Sequence, residues 1–145
     1  MSPTTDHMLQ VEEIMRLTVT VDQPYVIGQV NGGIMQVIPI TGGSVSGRYI
    51  NGVVIPGGAD WNIMRNDDLA HVSAKYVLKS DDGEFIVIEN EGTFVPETQA
   101  VIKTNLKFMA REDGKYNFLN KGVYVGELVP TPNVASVDII IYRMK

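Results

Sequence analysis

The spacing of glycines constrains the fold of this 145-residue chain more than any other feature of its sequence. Nine of the 14 glycines lie between Gly28 and Gly58, at intervals that would interrupt any helix. Glycine inside an extended apolar segment is typical of a bend or bulge in a curved sheet. The spacing therefore predicts an all-β fold, and the implied curvature favours a closed barrel.

Alternation of apolar and polar residues predicts the individual strands, and no segment has a persuasive helical period. Asn31-Gly32-Gly33 and Asp81-Asp82-Gly83 have the composition of hairpin turns. The predicted strands cover residues 13–21, 25–30, 34–40, 69–79, 84–91, 101–110, 122–129 and 134–144, with further turns at 112–114 and 130–133. About eight to ten strands without helical crossovers predict one antiparallel, closed β-barrel domain over residues 1–145, with little or no helix and with residues 1–10 mobile.

The hairpin around Asp82-Gly83 also predicts which side chains share a face. Loops of two or four residues give the same facing, because side chains along a strand alternate with period two. One face then carries Ala70, Val72, Ala74, Tyr76, Leu78, Phe85, Val87, Glu89 and Glu91. Because this face is mostly apolar, we expect it to point into the barrel.

An inward Glu91 would be partly desolvated, which fits a carboxylate for proton transfer or for holding a cationic or hydroxylated ligand. Two alternatives stay open at this point. Glu89 and Glu91 could reach the rim of the barrel and meet water. The opposite face, with His71, Ser73 and Lys75, could instead line a polar interior.

Residues 56–61, Pro-Gly-Gly-Ala-Asp-Trp, concentrate unusual residue types in one predicted loop. Glycine allows torsions that other residues avoid, Asp60 can bond neighbouring amides, and Trp61 offers a large ring with one N–H donor. An aromatic lining for an organic ligand is one interpretation of Trp61, Tyr76, Tyr116 and Phe118. Ordinary core packing is the other.

Composition excludes several classes of function. The net charge is −5 and the 12 basic residues are scattered, so we predict no nucleic-acid and no membrane partner. Cysteine is absent and only two histidines are present, His7 and His71, so we predict no metal and no cofactor. The segment 42–48 lacks the lysine of a phosphate loop. The polar amino terminus and the lack of an apolar run of ~20 residues predict a cytoplasmic protein.

The motifs of the chain resemble those of DUF3237, a family of uncharacterised proteins, from about Leu17 to Tyr142. The resembling segments are Ile40-Thr41-Gly42-Gly43, Gly47, residues 52–61, Ala74-Lys75-Tyr76-Val77-Leu78, Asp81-Asp82-Gly83, Asn90-Glu91-Gly92, residues 116–120 and Val125-Gly126. The Pro-Gly-Gly-Ala-Asp-Trp string makes the resemblance specific.

The resemblance implies a small closed barrel similar to calycin-like or allene-oxide-cyclase-like barrels. The positions that match the family pattern and are expected to border a shared cavity are Asp60, Trp61, Tyr76 and Asn120. The chain departs from the family where an Asp-Ala-Arg-Tyr string becomes Ser73-Ala74-Lys75-Tyr76, and where an Asp-Gly turn becomes Asp67-Asp68.

Three hypotheses follow. The first is a barrel that binds an unidentified small organic ligand, with Trp61 and Tyr76 as apolar wall. Its candidate polar contacts are Asp60, Lys75, Glu91 and Asn120. The second is an isomerase, cyclase or lyase for a small hydrophobic metabolite, with Glu91 or Asp60 as general base and Lys75 stabilising negative charge. The third is a self-assembling protein without a pocket, and all three are compatible with a homo-oligomer.

Overall fold

The computed structural model describes residues 8–98, 101–132 and 135–145. Within those ranges the chain forms nine strands: β1 Val11–Val21, β2 Tyr25–Val30, β3 Gly33–Ser46, β4 Gly52–Arg65, β5 Ala70–Ser80, β6 Phe85–Phe94, β7 Ile102–Met109, β8 Tyr124–Pro130 and β9 Ser136–Met144. One turn of 3₁₀ helix, Asn117–Asn120, lies between β7 and β8. Residues 1–7, which are part of the segment predicted to be mobile, lie outside the described ranges. So do residue 133, part of a predicted turn, and residue 134, the first residue of a predicted strand.

The strands form one antiparallel sheet that closes on itself. Its order is β1-β9-β8-β7-β6-β5-β4-β3, and pairing of β1 with β3 closes the ring. β2 continues beside β3 on the same side as β1, so β3 pairs first with β2 and then with β1. The predicted closed antiparallel β-barrel is confirmed. No helix in the described ranges has the length and apolarity to cross a membrane.

Glycines allow the sheet to bend where the register shifts. In β4, Ile55 pairs with Val77 and Ala59 with Lys75, so residues 56–58 all lie opposite Tyr76. Gly57 adopts a φ of 121°, a torsion that side chains rarely adopt. This Pro-Gly-Gly bulge, predicted as a loop, therefore lies within a strand and bends the wall of the barrel.

The interior of one half of the barrel is filled. Its core contains the fully buried residues Ile14, Met15, Leu17, Leu78, Ile86, Ile88, Leu119 and Ile141. Tyr116 is buried there and donates a hydrogen bond from its hydroxyl to Asp82 Oδ1 at 2.8 Å. Phe118 packs against the same core. Tyr116 is therefore a core residue, Phe118 packs against the core, and neither borders the cavity in the other half.

The predicted facing of the β5–β6 hairpin is wrong. Ser80 N donates to Glu84 O at 2.9 Å, and Gly83, at a φ of 95°, ends a three-residue loop between these residues. A three-residue loop with glycine in this conformation is a common hairpin type, and its odd length reverses the facing obtained with two or four residues. Consequently Ile88 pairs with Tyr76 on the inner face, while Glu91 pairs with Ser73 on the outer face.

Candidate functional site

The half of the barrel where β5 begins holds an apolar cavity of about 260 Å³. Its apolar wall includes Val19, Ile38, Ile40, Val72, Leu128 and Ile139. Asp22 and Pro24, in the connection from β1 to β2, border the cavity as well. The cavity is slightly smaller than the ~300–1,000 Å³ typical of ligand pockets, which suits a small molecule.

Three polar residues on neighbouring strands face this cavity. Asp60 of β4 and Asn90 of β6 are both direct partners of Ala74 on β5, one from each side. Tyr76 is the next residue of β5 on the same face, since side chains alternate along a strand. The small side chain of Ala74 leaves open space between the carboxylate and the amide.

Asp60 is partly buried at the edge of the cavity. Desolvation raises the pKa of its carboxyl, and the backbone N–H of Ser73, which donates to Asp60 Oδ1 at 3.0 Å, opposes that rise together with the nearby His71. The carboxyl is thus held in place by a backbone group while its charged form is disfavoured. Such a group is suited to exchange protons with a bound molecule.

Tyr76 and Asn90 are each 3% exposed. Among the described residues, the Tyr76 hydroxyl and Asn90 Oδ1 have no hydrogen-bond partner. Burial, with the negative charge of Asp60 adding to it, raises the pKa of Tyr76, so its hydroxyl stays protonated and remains a donor. An unpaired buried polar group costs about 1–3 kcal/mol, which points to a partner that the barrel wall does not supply.

Trp61, Lys75 and Glu91 lie together on the outer surface instead. Trp61 is 49% exposed and borders a groove of about 390 Å³ that Lys75 and Glu91 also line. Lys75 Nζ lies 3.2 Å from Glu89 Oε1, and His71 Nε2 lies 3.4 Å from Glu91 Oε2. The wall of the barrel therefore separates these three predicted site residues from Asp60 and Tyr76.

Asn120 lies at the filled end of the barrel. Its Nδ2 donates to Ala110 O at 2.7 Å, and its Oδ1 accepts from Ala110 N at 2.8 Å. The side chain thus pairs with the backbone beyond β7 as a neighbouring strand would. Asn120 does not border the cavity.

The sequence analysis did not identify two polar residues of the cavity, Asn90 and Asp22. Asn90 was part of the Asn90-Glu91-Gly92 motif of the family, and the predicted hairpin facing placed it on the face opposite to Tyr76. The sequence does contain a signal for Asn90, which lies two residues after Ile88 and therefore on the same face of β6. With a hairpin loop of three residues, this face points into the barrel. In the described part of the chain, no cluster of three or more acidic, histidine or cysteine side chains could hold a metal ion.

Comparison of sequences identifies relatives of the chain. The family model described as protein of unknown function (DUF3237) matches residues 9–144. A UPF0311 protein of Clostridium acetobutylicum is 47% identical over 85 residues, which are 58% of this chain and 54% of that protein. The matched segment therefore spans about half the length of this curated relative.

Solved structures share the fold. A protein of unknown function from Clostridium acetobutylicum has a TM-score of 0.84 at 32% identity, covering 95% of this chain and 98% of that one. A β-barrel-like protein from Acinetobacter baumannii has a TM-score of 0.84 at 25% identity, covering 99% of each chain. An enzyme from Penicillium herquei has a TM-score of 0.76 at 21% identity, covering 100% of this chain and 98% of that one, a likeness in fold alone. With residues 9–144 matching its model, the chain belongs to the DUF3237 family of proteins of unknown function.

Proposed function

We propose that this protein binds a small, largely apolar molecule inside the open half of its barrel. The observation that carries the proposal is the pair of buried, unpartnered groups on the cavity wall, Tyr76 Oη and Asn90 Oδ1. A bound molecule with one polar group would satisfy both of them, while its apolar body would contact the aliphatic wall. Asp60 is the third polar contact.

A filled cavity tests the proposal. Ala74→Leu would add three carbon atoms between Asp60 and Asn90, and we expect it to weaken binding at least about tenfold by occupying the ligand's space. Native mass spectrometry of freshly purified protein, followed by ligand-observed NMR against a panel of small uncharged molecules, measures binding. Thr93→Leu, at an exposed position on β6, is the matched control. Equal affinity in the Ala74→Leu variant and the wild type would contradict the proposal.

A second function, acid–base catalysis on the bound molecule, is favoured by the raised pKa of Asp60 near the neutral Tyr76 hydroxyl. Asp60 would remove a proton from carbon beside a carbonyl, and Tyr76 would donate a hydrogen bond to the developing oxyanion. Isomerisation, cyclisation or elimination could each follow from that step. Of the predicted bases, Glu91 is less suited to this role, because its carboxylate lies on the outer face.

Solvent-deuterium exchange into small uncharged ketones, followed by NMR, tests the catalytic function. We expect the wild type to accelerate exchange beside the carbonyl, and Asp60→Asn to lose at least about 100-fold of that acceleration. Glu91→Gln should retain it. Exchange at the same rate in wild type and Asp60→Asn would exclude Asp60 as the base.

A further inference from the structure

The charges around the cavity have one sign. Asp22 and Asp60 are the ionisable acids on its lining, and none of the described lining residues is a lysine, arginine or histidine. A ligand carboxylate or phosphate entering this space would lose its hydration and meet carboxylates without a counter-cation. The lining is therefore unfavourable for an anion.

Lys75 and His71, two basic residues on the neighbouring strand β5, do not offset this. Lys75 pairs with Glu89 at 3.2 Å on the outer surface. His71 lies 3.4 Å from Glu91 on that surface too, although its field reaches Asp60. Both groups already have acidic partners outside the barrel, so neither is available to an anion within it.

The unpartnered groups specify what the ligand must carry. The Tyr76 hydroxyl is a donor, and Asn90 Oδ1 is an acceptor. Tyr76 pairs with Ile88, two residues before Asn90, so the two side chains are diagonal neighbours on one face, with Cα atoms roughly 7–8 Å apart. A single ligand group that both accepts and donates would satisfy the two, and a hydroxyl does both.

We infer that the cavity selects uncharged molecules that carry a hydroxyl group on an apolar body, and that it excludes anions. This inference rests on the proposed function, because it names the class of ligand for the same cavity. The ligand hydroxyl accepts from Tyr76 and donates to Asn90, while Asp60 at the cavity edge repels carboxylates.

Four probes with one phenyl body test the inference on the full chain: toluene, benzyl alcohol, benzoate and benzylammonium. Ligand-observed NMR at neutral pH gives the affinity of each. We expect benzyl alcohol to bind about tenfold more tightly than toluene, because it forms two added hydrogen bonds. It should also bind more tightly than either ion, because benzoate meets the carboxylates and benzylammonium has no lone pair to accept the hydrogen bond from Tyr76. In Tyr76→Phe and Asn90→Leu, benzyl alcohol should lose this advantage while toluene still binds.

Charge exclusion is tested with Asp60→Asn. Removing this carboxylate should raise the affinity for benzoate relative to benzyl alcohol by about tenfold, whereas Glu89→Gln on the outer face should leave the ratio unchanged. Benzoate or benzylammonium as the tightest probe overturns the inference. Toluene binding as tightly as benzyl alcohol also overturns it but leaves the proposed function standing. Failure of all four probes to bind contradicts the proposed function itself.

Discussion

Asp60 and Asn90 are held apart by a single residue, because each is the direct antiparallel partner of Ala74. Two strand spacings separate their backbones, roughly 9–10 Å. Strands β4 and β6 are each hydrogen-bonded to a neighbouring strand on both sides. The separation of Asp60 and Asn90 is therefore fixed more firmly than it would be on loops. The short side chain of Ala74 leaves space for a ligand group between the carboxylate and the amide.

The pH dependence of stability should reveal Asp60. Because the folded state raises the pKa of this carboxyl above its ordinary value of 3.8, the folded protein holds the proton more tightly than the unfolded chain. Stability should therefore fall as pH rises through the interval between the two pKa values. Urea unfolding from pH 3 to pH 7 should show Asp60→Asn gaining stability relative to the wild type over that interval and holding the gain above it.

Asp82 provides a control of opposite sign. Hydrogen bonds from Ser80 and Tyr116 lower the pKa of Asp82. Its contribution to stability is present above the unfolded pKa and is lost as pH falls, so Asp82→Asn should be destabilised most at neutral pH. A constant difference between the wild type and Asp60→Asn across the whole pH range would contradict the assignment for Asp60.

Tyr76→Phe should separate stability from binding. The Tyr76 hydroxyl is buried without a partner among the described residues, so its removal should leave the free energy of unfolding unchanged or raise it by about 1 kcal/mol. Tyr116→Phe is the matched control: it loses a hydrogen bond to Asp82, and we expect a loss of about 1 kcal/mol. Denaturant titration measures both. A clear destabilisation of Tyr76→Phe would assign the hydroxyl a structural partner.

The barrel could be predicted from local patterns. Alternating residues located eight of the nine strands in the described ranges, and the glycines between Gly28 and Gly58 indicated the curvature that closes the sheet. Strand β4 was not predicted, because its proline and glycines indicated a loop. The facing of β6 could not be predicted from such patterns. It depends on whether the loop ending at Gly83 has an even or an odd number of residues. That single residue moves Glu91 from the inner to the outer face.

The candidate site could be predicted only in part, for a related reason. The family resemblance implied that Asp60 and Trp61 both border the cavity, and their motif was interpreted as a loop, in which two consecutive side chains could point the same way. They are consecutive residues of β4, and consecutive side chains of a strand point to opposite faces. Asp60 therefore lines the cavity, and Trp61 lies on the outer surface.

Gly58→Ala should be strongly destabilising. A Cβ atom there would lie 2.5 Å from both Lys75 O and Tyr76 Cβ, contacts that backbone on the paired strand cannot relieve cheaply. We expect a loss of several kcal/mol from overpacking alone, because Gly58 does not have a positive φ. Gly57→Ala is the control, since its Cβ meets nothing within 4 Å and only torsional strain of about 1–2 kcal/mol applies. Equal melting temperatures for wild type and Gly58→Ala would contradict this packing.

Trp61→Ala should leave binding in the cavity unchanged to within about twofold, because the ring lies on the outer surface. Ile38→Ala, on the cavity wall, should weaken binding of benzyl alcohol by more than about twofold, because it removes apolar contacts with the ligand. Ligand-observed NMR with benzyl alcohol compares the two variants with the wild type. A larger loss in Trp61→Ala than in Ile38→Ala would indicate that the outer groove is the binding site.

Asn120→Ala should reduce stability without affecting binding. The side chain supplies both a donor and an acceptor to the backbone of Ala110, and it lies at the filled end of the barrel. Because the site is exposed and water can replace these bonds, we expect a loss of about 1 kcal/mol in denaturant titration. Glu112→Ala, also exposed in the loop after β7, should have no measurable effect. Weaker ligand binding by Asn120→Ala at unchanged stability would instead make Asn120 a ligand contact.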